Sequence, residues 1–132
     1  MTIALDSWAV LRLLDGSEPA ASRVQDLLGE QQPVMSWINL GEVLYIVSRD
    51  QGRTEGEQVL RDLRPLLRLD LPTERRVLEA ARIKVEYPMA YADAFAAATA
   101  LAHDATLWTG DPELLLEDAP WSYEDLRDAK RR

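Results

Sequence analysis

The sequence predicts an α/β fold, a three-layer α/β/α domain built on a central parallel sheet of about four to five strands. Three observations carry this expectation. Short apolar runs of strand length alternate with longer stretches of helical period, the order that places helices on both faces of a parallel sheet. Two of those runs have an acid just beyond their ends, Asp6 and Asp111. A length of 132 residues, 47% hydrophobic and 29% charged, suits one domain over residues 1–132 with a single core.

The elements follow in order. Residues 2–5 form a short apolar run that ends at Asp6, and "SWAVLRLLDG" then sets Trp8, Leu11 and Leu14 at helical intervals before Gly16. Pro19 suits the first turn of a second helix, whose face is Val24, Leu27 and Leu28 up to Gly29. Residues 33–35 read as a buried strand, and Ser36 as the N-cap of "WINLGEVLYIVSRDQG", a helix stopped by Gly52. Residues 54–66 are helical in period, 67–71 form a third strand, and Thr73 caps a helix that continues towards Tyr87 and Pro88. A helix over about 91–103 and the strand "ATLW" come next. The segment "APWSYEDLRD" reads either as a short fifth strand around 121–123 or as a loop with a turn of helix. There is no repeat, linker or low-complexity segment.

Composition excludes several chemistries. With no cysteine, disulfides, thiolate metal sites and a cysteine nucleophile are ruled out, and one histidine, His103, cannot make a histidine-rich metal site. A net charge of -8 argues against indiscriminate nucleic-acid binding, which draws on Lys and Arg. The basic residues Arg61, Arg64 and Arg68, and Arg75, Arg76, Arg82 and Lys84, are read as solvated helix faces balanced by acids. The tail "AKRR", residues 129–132, is read as a solubilising end. No apolar run is long enough to span a bilayer, and "MTIALD" lacks a basic region followed by a long apolar stretch, so a cytoplasmic protein is expected.

Four acids stand out by position. In open parallel sheets ligands bind beyond the carboxyl ends of the strands, and Asp6 and Asp111 both belong to that edge. Glu42 interrupts the apolar "INLGEVLYIV", where an unpaired buried carboxylate costs on the order of several kcal/mol. Asp93 opens the alanine-rich "YADAFAAATALA", whose small side chains permit close helix packing and whose first amides favour an ionised acid. Singly, each has an ordinary explanation: Asp6 as a helix-start residue, Asp93 as a dipole partner, Asp111 as a turn former before Pro112, Glu42 as a partner of an arginine. Jointly they call for a positive partner, and hard oxygen ligands suit Mg²⁺ or Mn²⁺.

The segments "ALDSWAVL", "INLGEVLY", "YADAFAAATALA" and "LWTGDPEL" resemble, in order and spacing, the four characteristic segments of PIN-domain ribonucleases, most closely the VapC-type toxins of toxin–antitoxin pairs. The resemblance implies that Asp6, Glu42, Asp93 and Asp111 ligate one or two divalent cations. Ser7 and Thr109 match recurrent hydroxyl positions of that family and would orient ligands or water. It further implies cleavage of RNA phosphodiesters by a metal-activated water, with no protein nucleophile, a cognate antitoxin sending an arginine towards the carboxylates, and a homodimer. Trp37 and Tyr45 are candidates for that subunit contact. Trp8 and Trp108 are read as core, His103 as a capping residue, Asp104 as a loop residue, and Glu18 as an accessory acid at most.

Two other readings compete. A receiver-type Mg²⁺-binding signalling domain predicts paired acids after the first strand and a lysine at a late strand end, and neither is found in "ALDS" or near Trp108. A PIN-like module that binds proteins without cleaving would keep the fold but not need all four acids. Cleavage of DNA flaps would call for more acids and extra helices. Nothing in the sequence distinguishes transfer, ribosomal or messenger RNA as substrate.

Overall fold

The structure, a computed structural model, describes residues 1–128; the basic tail lies outside the described residues. Its elements are β1 (Ile3–Leu5), α1 (Ser7–Asp15), α2 (Ala20–Glu30), β2 (Val34–Ser36), α3 (Trp37–Gln51), α4 (Arg53–Leu63), β3 (Arg68–Asp70), α5 (Glu74–Glu86), α6 (Tyr91–Ala102), β4 (Thr106–Thr109) and β5 (Tyr123–Asp125). All five strands are parallel, in the order β3-β2-β1-β4-β5. The sheet therefore grows from β1 to one side and then resumes on the other, placing its topological switch point between β1 and β4.

Side-chain alternation along these strands divides the core. Ile3, Leu5 and Met35 join a cluster with the buried faces of α1 to α4, whereas Ala4, Val34 and Leu107 join one with α5 and α6. Helices thus cover both faces, giving the three layers expected from the sequence. Fully buried leucines such as Leu5, Leu40 and Leu107 each contribute about 1.5–3 kcal/mol through loss of apolar surface to water.

α6 is the central helix of the second layer. From Asp93 to Ala100 every residue is buried, and the helix touches β1, β2, β4, α3 and α5. Alanine makes this possible, because a larger side chain at any of these points would hold a neighbour away. His103 closes α6 as its C-cap, with its ring nitrogen Nε2 2.8 Å from Asp70 Oδ1. Asp70 also accepts two hydrogen bonds from Arg76, which pairs in turn with Glu79. Burial opposes ionisation of Asp70, but the bonds from Arg76 and His103 outweigh it and hold its carboxyl below the usual range. Arg76 is therefore tied into the fold, whereas Arg61, Arg64 and Arg68 are exposed. Asp104 takes a left-handed conformation in the turn that follows.

Two boundaries differ from those expected of the sequence. The helix of residues 54–66 stops at Leu63 and tightens into a 3-10 turn over Arg64–Leu66, because Pro65 has no amide to continue it. The fifth strand lies at Tyr123–Asp125, two residues beyond the expected start. Trp121 is kept out of it: its indole donates to Leu114 O at 3.0 Å and stands edge-on to Tyr87. Arg23 of α2 holds the strand in place, pairing with Glu124 at 2.7 Å while its guanidinium covers the Trp108 ring. No helix among the described residues is long and apolar enough to cross a membrane.

Candidate metal centre

β1 and β4 end side by side, with Leu5 opposite Trp108 in the parallel register. The next residue on each side is polar and buried: Asp6 is 1% exposed and Thr109 fully covered. The Thr109 hydroxyl donates to Asp6 Oδ2 in a short hydrogen bond that spans the switch point. Asp6 Oδ1 accepts from the amide of Ala9 at 2.8 Å, which makes Asp6 the N-cap of α1. Both oxygens are fixed, yet burial still pushes this carboxyl up to about 7, with the charge of Asp111 adding to the effect.

The turn after β4 carries two more acids. Asp111 N donates to Thr109 Oγ1 at 3.0 Å, and Glu113 N donates to Asp111 Oδ1 at 2.9 Å, so each residue orients the next. Glu113 Oε1 in turn accepts from Ala90 N at 3.0 Å. Ala90 is the N-cap of α6 and has no side-chain cap of its own, so Glu113 supplies the cap from a neighbouring loop. Lys84 steadies the approach to α6 by donating to Met89 O at 2.6 Å.

Asp93, in the first turn of α6 and 8% exposed, meets this turn. One oxygen each of Asp93, Asp111 and Glu113 lie within 4.8 Å of one another. Burial, then the Glu113 contact and the charge of Asp111, raise the Asp93 carboxyl to about 9. Glu113 moves the opposite way, held low by the Ala90 amide and by its contact with Asp93. No basic side chain among the described residues forms an ion pair with any of these acids. Such crowding of uncompensated oxygen donors fits a hard divalent cation.

Of the sequence candidates, the structure thus brings together Asp93 and Asp111, with Asp6 and Thr109 alongside. Glu42 is half-buried on α3, one turn beyond Asn39, and makes no hydrogen bond or ion pair among the described residues. It stands outside the triplet of Asp93, Asp111 and Glu113. Ser7 is buried and its hydroxyl donates to Asn39 O at 3.1 Å. Glu18 is exposed at the start of α2, bonded to Ser22. Glu113 is legible in the sequence only as the second acid of "GDPEL": two acids two residues apart in a strand-end turn present both carboxyls to one edge.

Gly110 sits between Thr109 and Asp111 under the indole of Trp8. A methyl group there would lie 2.3 Å from Trp8 Cη2 and 2.4 Å from Cζ2. Gly110→Ala must therefore displace either the ring, which Arg12 covers at 5.5 Å, or the turn that carries Asp111. A loss of about 1–3 kcal/mol is expected from this overpacking, read as a lowered melting temperature. Unchanged melting would mean that the indole yields freely.

Fold and site together define a doubly wound α/β domain with a carboxylate cluster at its switch point. The model of the PIN domain family matches residues 3–119, and the chain belongs to that family. No curated protein matches it by sequence. Among solved structures, VapBC-1 from nontypeable Haemophilus influenzae is similar over 97% of this chain and 100% of that one, with TM-score 0.74 and 22% identity. FitAcB from Neisseria gonorrhoeae is similar over 96% and 99%, with TM-score 0.73 and 21% identity. VapC20 from Mycobacterium tuberculosis, described as a sarcin-ricin loop cleaving toxin, is similar over 86% and 92%, with TM-score 0.70 and 17% identity. Likeness at these identities speaks for the fold alone.

Proposed function

We propose that the chain is a divalent-metal-dependent endoribonuclease, the toxin of a toxin–antitoxin pair. The observation that carries this is the meeting of Asp93, Asp111 and Glu113 beside the buried Asp6, with no ion pair to any of them among the described residues, at the switch point of a PIN domain. Structural neighbours that include a VapBC pair and a sarcin-ricin loop cleaving toxin support the same direction. Asp6, Asp93, Asp111 and Glu113 would hold Mg²⁺ or Mn²⁺, with Glu42 of α3 as a further candidate ligand. When bound, such a cation supplies hydroxide near neutral pH and offsets charge on the scissile phosphate.

The chain's own residues prepare that site. Thr109 and the Ala9 amide hold Asp6 in one rotamer, and the linked turn from Thr109 to Glu113 holds its two acids against α6. Ser7 supports the Asp6 segment from behind through Asn39. Half-buried Trp37, with Arg64 over its ring, and Tyr45, 63% exposed, offer a face for a second copy of the chain. An antitoxin would bring the arginine that the acids lack.

The test is cleavage of a structured-RNA pool by purified protein with Mg²⁺ or Mn²⁺, beside Asp6→Asn. Cutting that requires the ion and disappears in the folded variant is the expected result. A wild-type protein that binds no divalent ion and cuts nothing, once freed of any partner, would instead make this a PIN module that only binds.

A further inference from the structure

Asn39 is fully buried on α3, between the two segments that carry Asp6 and Asp93. Its Nδ2 donates to Ala92 O at 3.0 Å, directly before Asp93, and to Ser7 Oγ at 3.3 Å, directly after Asp6. The Ser7 hydroxyl returns the bond to Asn39 O at 3.1 Å. Among the described residues no other side chain bonds both segments. The amide orientation is dictated by Ala92: turned over, the Asn39 oxygen would face another carbonyl, two acceptors with no proton between them.

This orientation has a cost. Asn39 Oδ1 is buried without a partner, and an unsatisfied buried acceptor is destabilising. An apolar residue of similar size would avoid that cost in an ordinary core position. Retaining the amide makes sense where what matters is the separation of the segments it joins, since helix packing alone tolerates small shifts that a ligand set does not.

We propose that Asn39 is a positioning residue of the metal centre, its amide clamping the Asp6 and Asp93 segments at the separation the cation needs. The inference rests on the metal reading above. Asn39→Ala frees the segments while leaving all four acids in place.

The experiment is calorimetric titration of the full chain with Mn²⁺, paired with thermal melting, for wild type, Asn39→Ala and Val43→Ala. Val43 is equally buried one turn further along α3 and touches neither segment through a hydrogen bond, so it reports general loosening of the helix. Asn39→Ala is expected to weaken Mn²⁺ about 10- to 100-fold, as loss of ligand-orienting contacts does, while Val43→Ala melts lower yet keeps its affinity. Asn39→Ser, too short to reach Ala92, serves in the same comparison if the alanine variant does not fold. Equal affinity in wild type and the Asn39 variants, or equal weakening in Val43→Ala, overturns the clamp and leaves the metal centre standing. No Mn²⁺ binding by wild type removes both.

Discussion

Asp93→Asn should abolish Mn²⁺ binding and cleavage while making the metal-free protein more stable at alkaline pH. Asparagine has the shape of the protonated acid and can still donate towards Glu113, but it carries no charge to bury. Burial first, then Glu113 and Asp111, hold the Asp93 carboxyl up to about 9. Near pH 4 and below, folded and unfolded wild type both keep the proton and the substitution should change melting little; the gap opens as pH climbs, because only the unfolded wild type ionises, and it is complete above about 9. A tenfold difference in proton affinity between folded and unfolded chains corresponds to about 1.4 kcal/mol, so the gain at high pH is on the order of a few kcal/mol. At roughly 3 °C per kcal/mol it should be plain in a melting curve. Activity should drop by at least about a hundredfold, the upper range for merely indirect contacts. A variant that melts lower at high pH, or still binds the ion, would show that Asp93 is an ordinary helix-start acid.

Wild-type protein stripped of metal should lose stability as pH rises from about 4 to 9. Asp6 and Asp93 bind protons more tightly folded than unfolded, since burial raises them to about 7 and about 9 from an ordinary 3.8. Their contribution is whole below the unfolded value, shrinks as pH climbs, and is gone beyond the folded values. Acids held low, Asp70 and Asp125, act the other way and are lost only as pH falls below the ordinary carboxylate range. Saturating Mn²⁺ should remove the alkaline loss, because the cation takes the place of the protons; a hundredfold excess over its dissociation constant adds about 2.7 kcal/mol. Melting across this range with chelator and with Mn²⁺ decides the matter. A metal-free melting temperature that is flat or rising between pH 6 and 9 would contradict the burial of these charges.

Much of this architecture is legible in the sequence because apolar periodicity dominates it. The runs at β1, β2 and β4 and the helical faces of α1 and α3 announce themselves. β5 does not, because its position depends on Trp121 docking against Leu114 and Tyr87 and on Arg23 reaching from α2, contacts between residues far apart in sequence. Asp6, Asp93 and Asp111 are visible as acids at element ends. Glu113 and Asn39 carry no such signal: one is a surface glutamate that caps a helix from another loop, the other a polar residue inside an apolar stretch. Neither task shows in the local pattern, although the second acid of "GDPEL" marks where Glu113 stands. Glu42 attracts notice by its apolar setting, and the structure places it half-buried on α3.

The eight buried positions of α6, Asp93 to Ala100, also bear on how loss-of-function screens of this chain are interpreted. Bulky replacements at the alanines would dislodge the helix and take Asp93 with it, so a survival readout would score packing residues and ion-binding residues alike. Only a parallel measure of protein abundance separates them: the alanine variants should disappear from the soluble fraction, whereas Asp93→Asn should accumulate as an intact, silent protein.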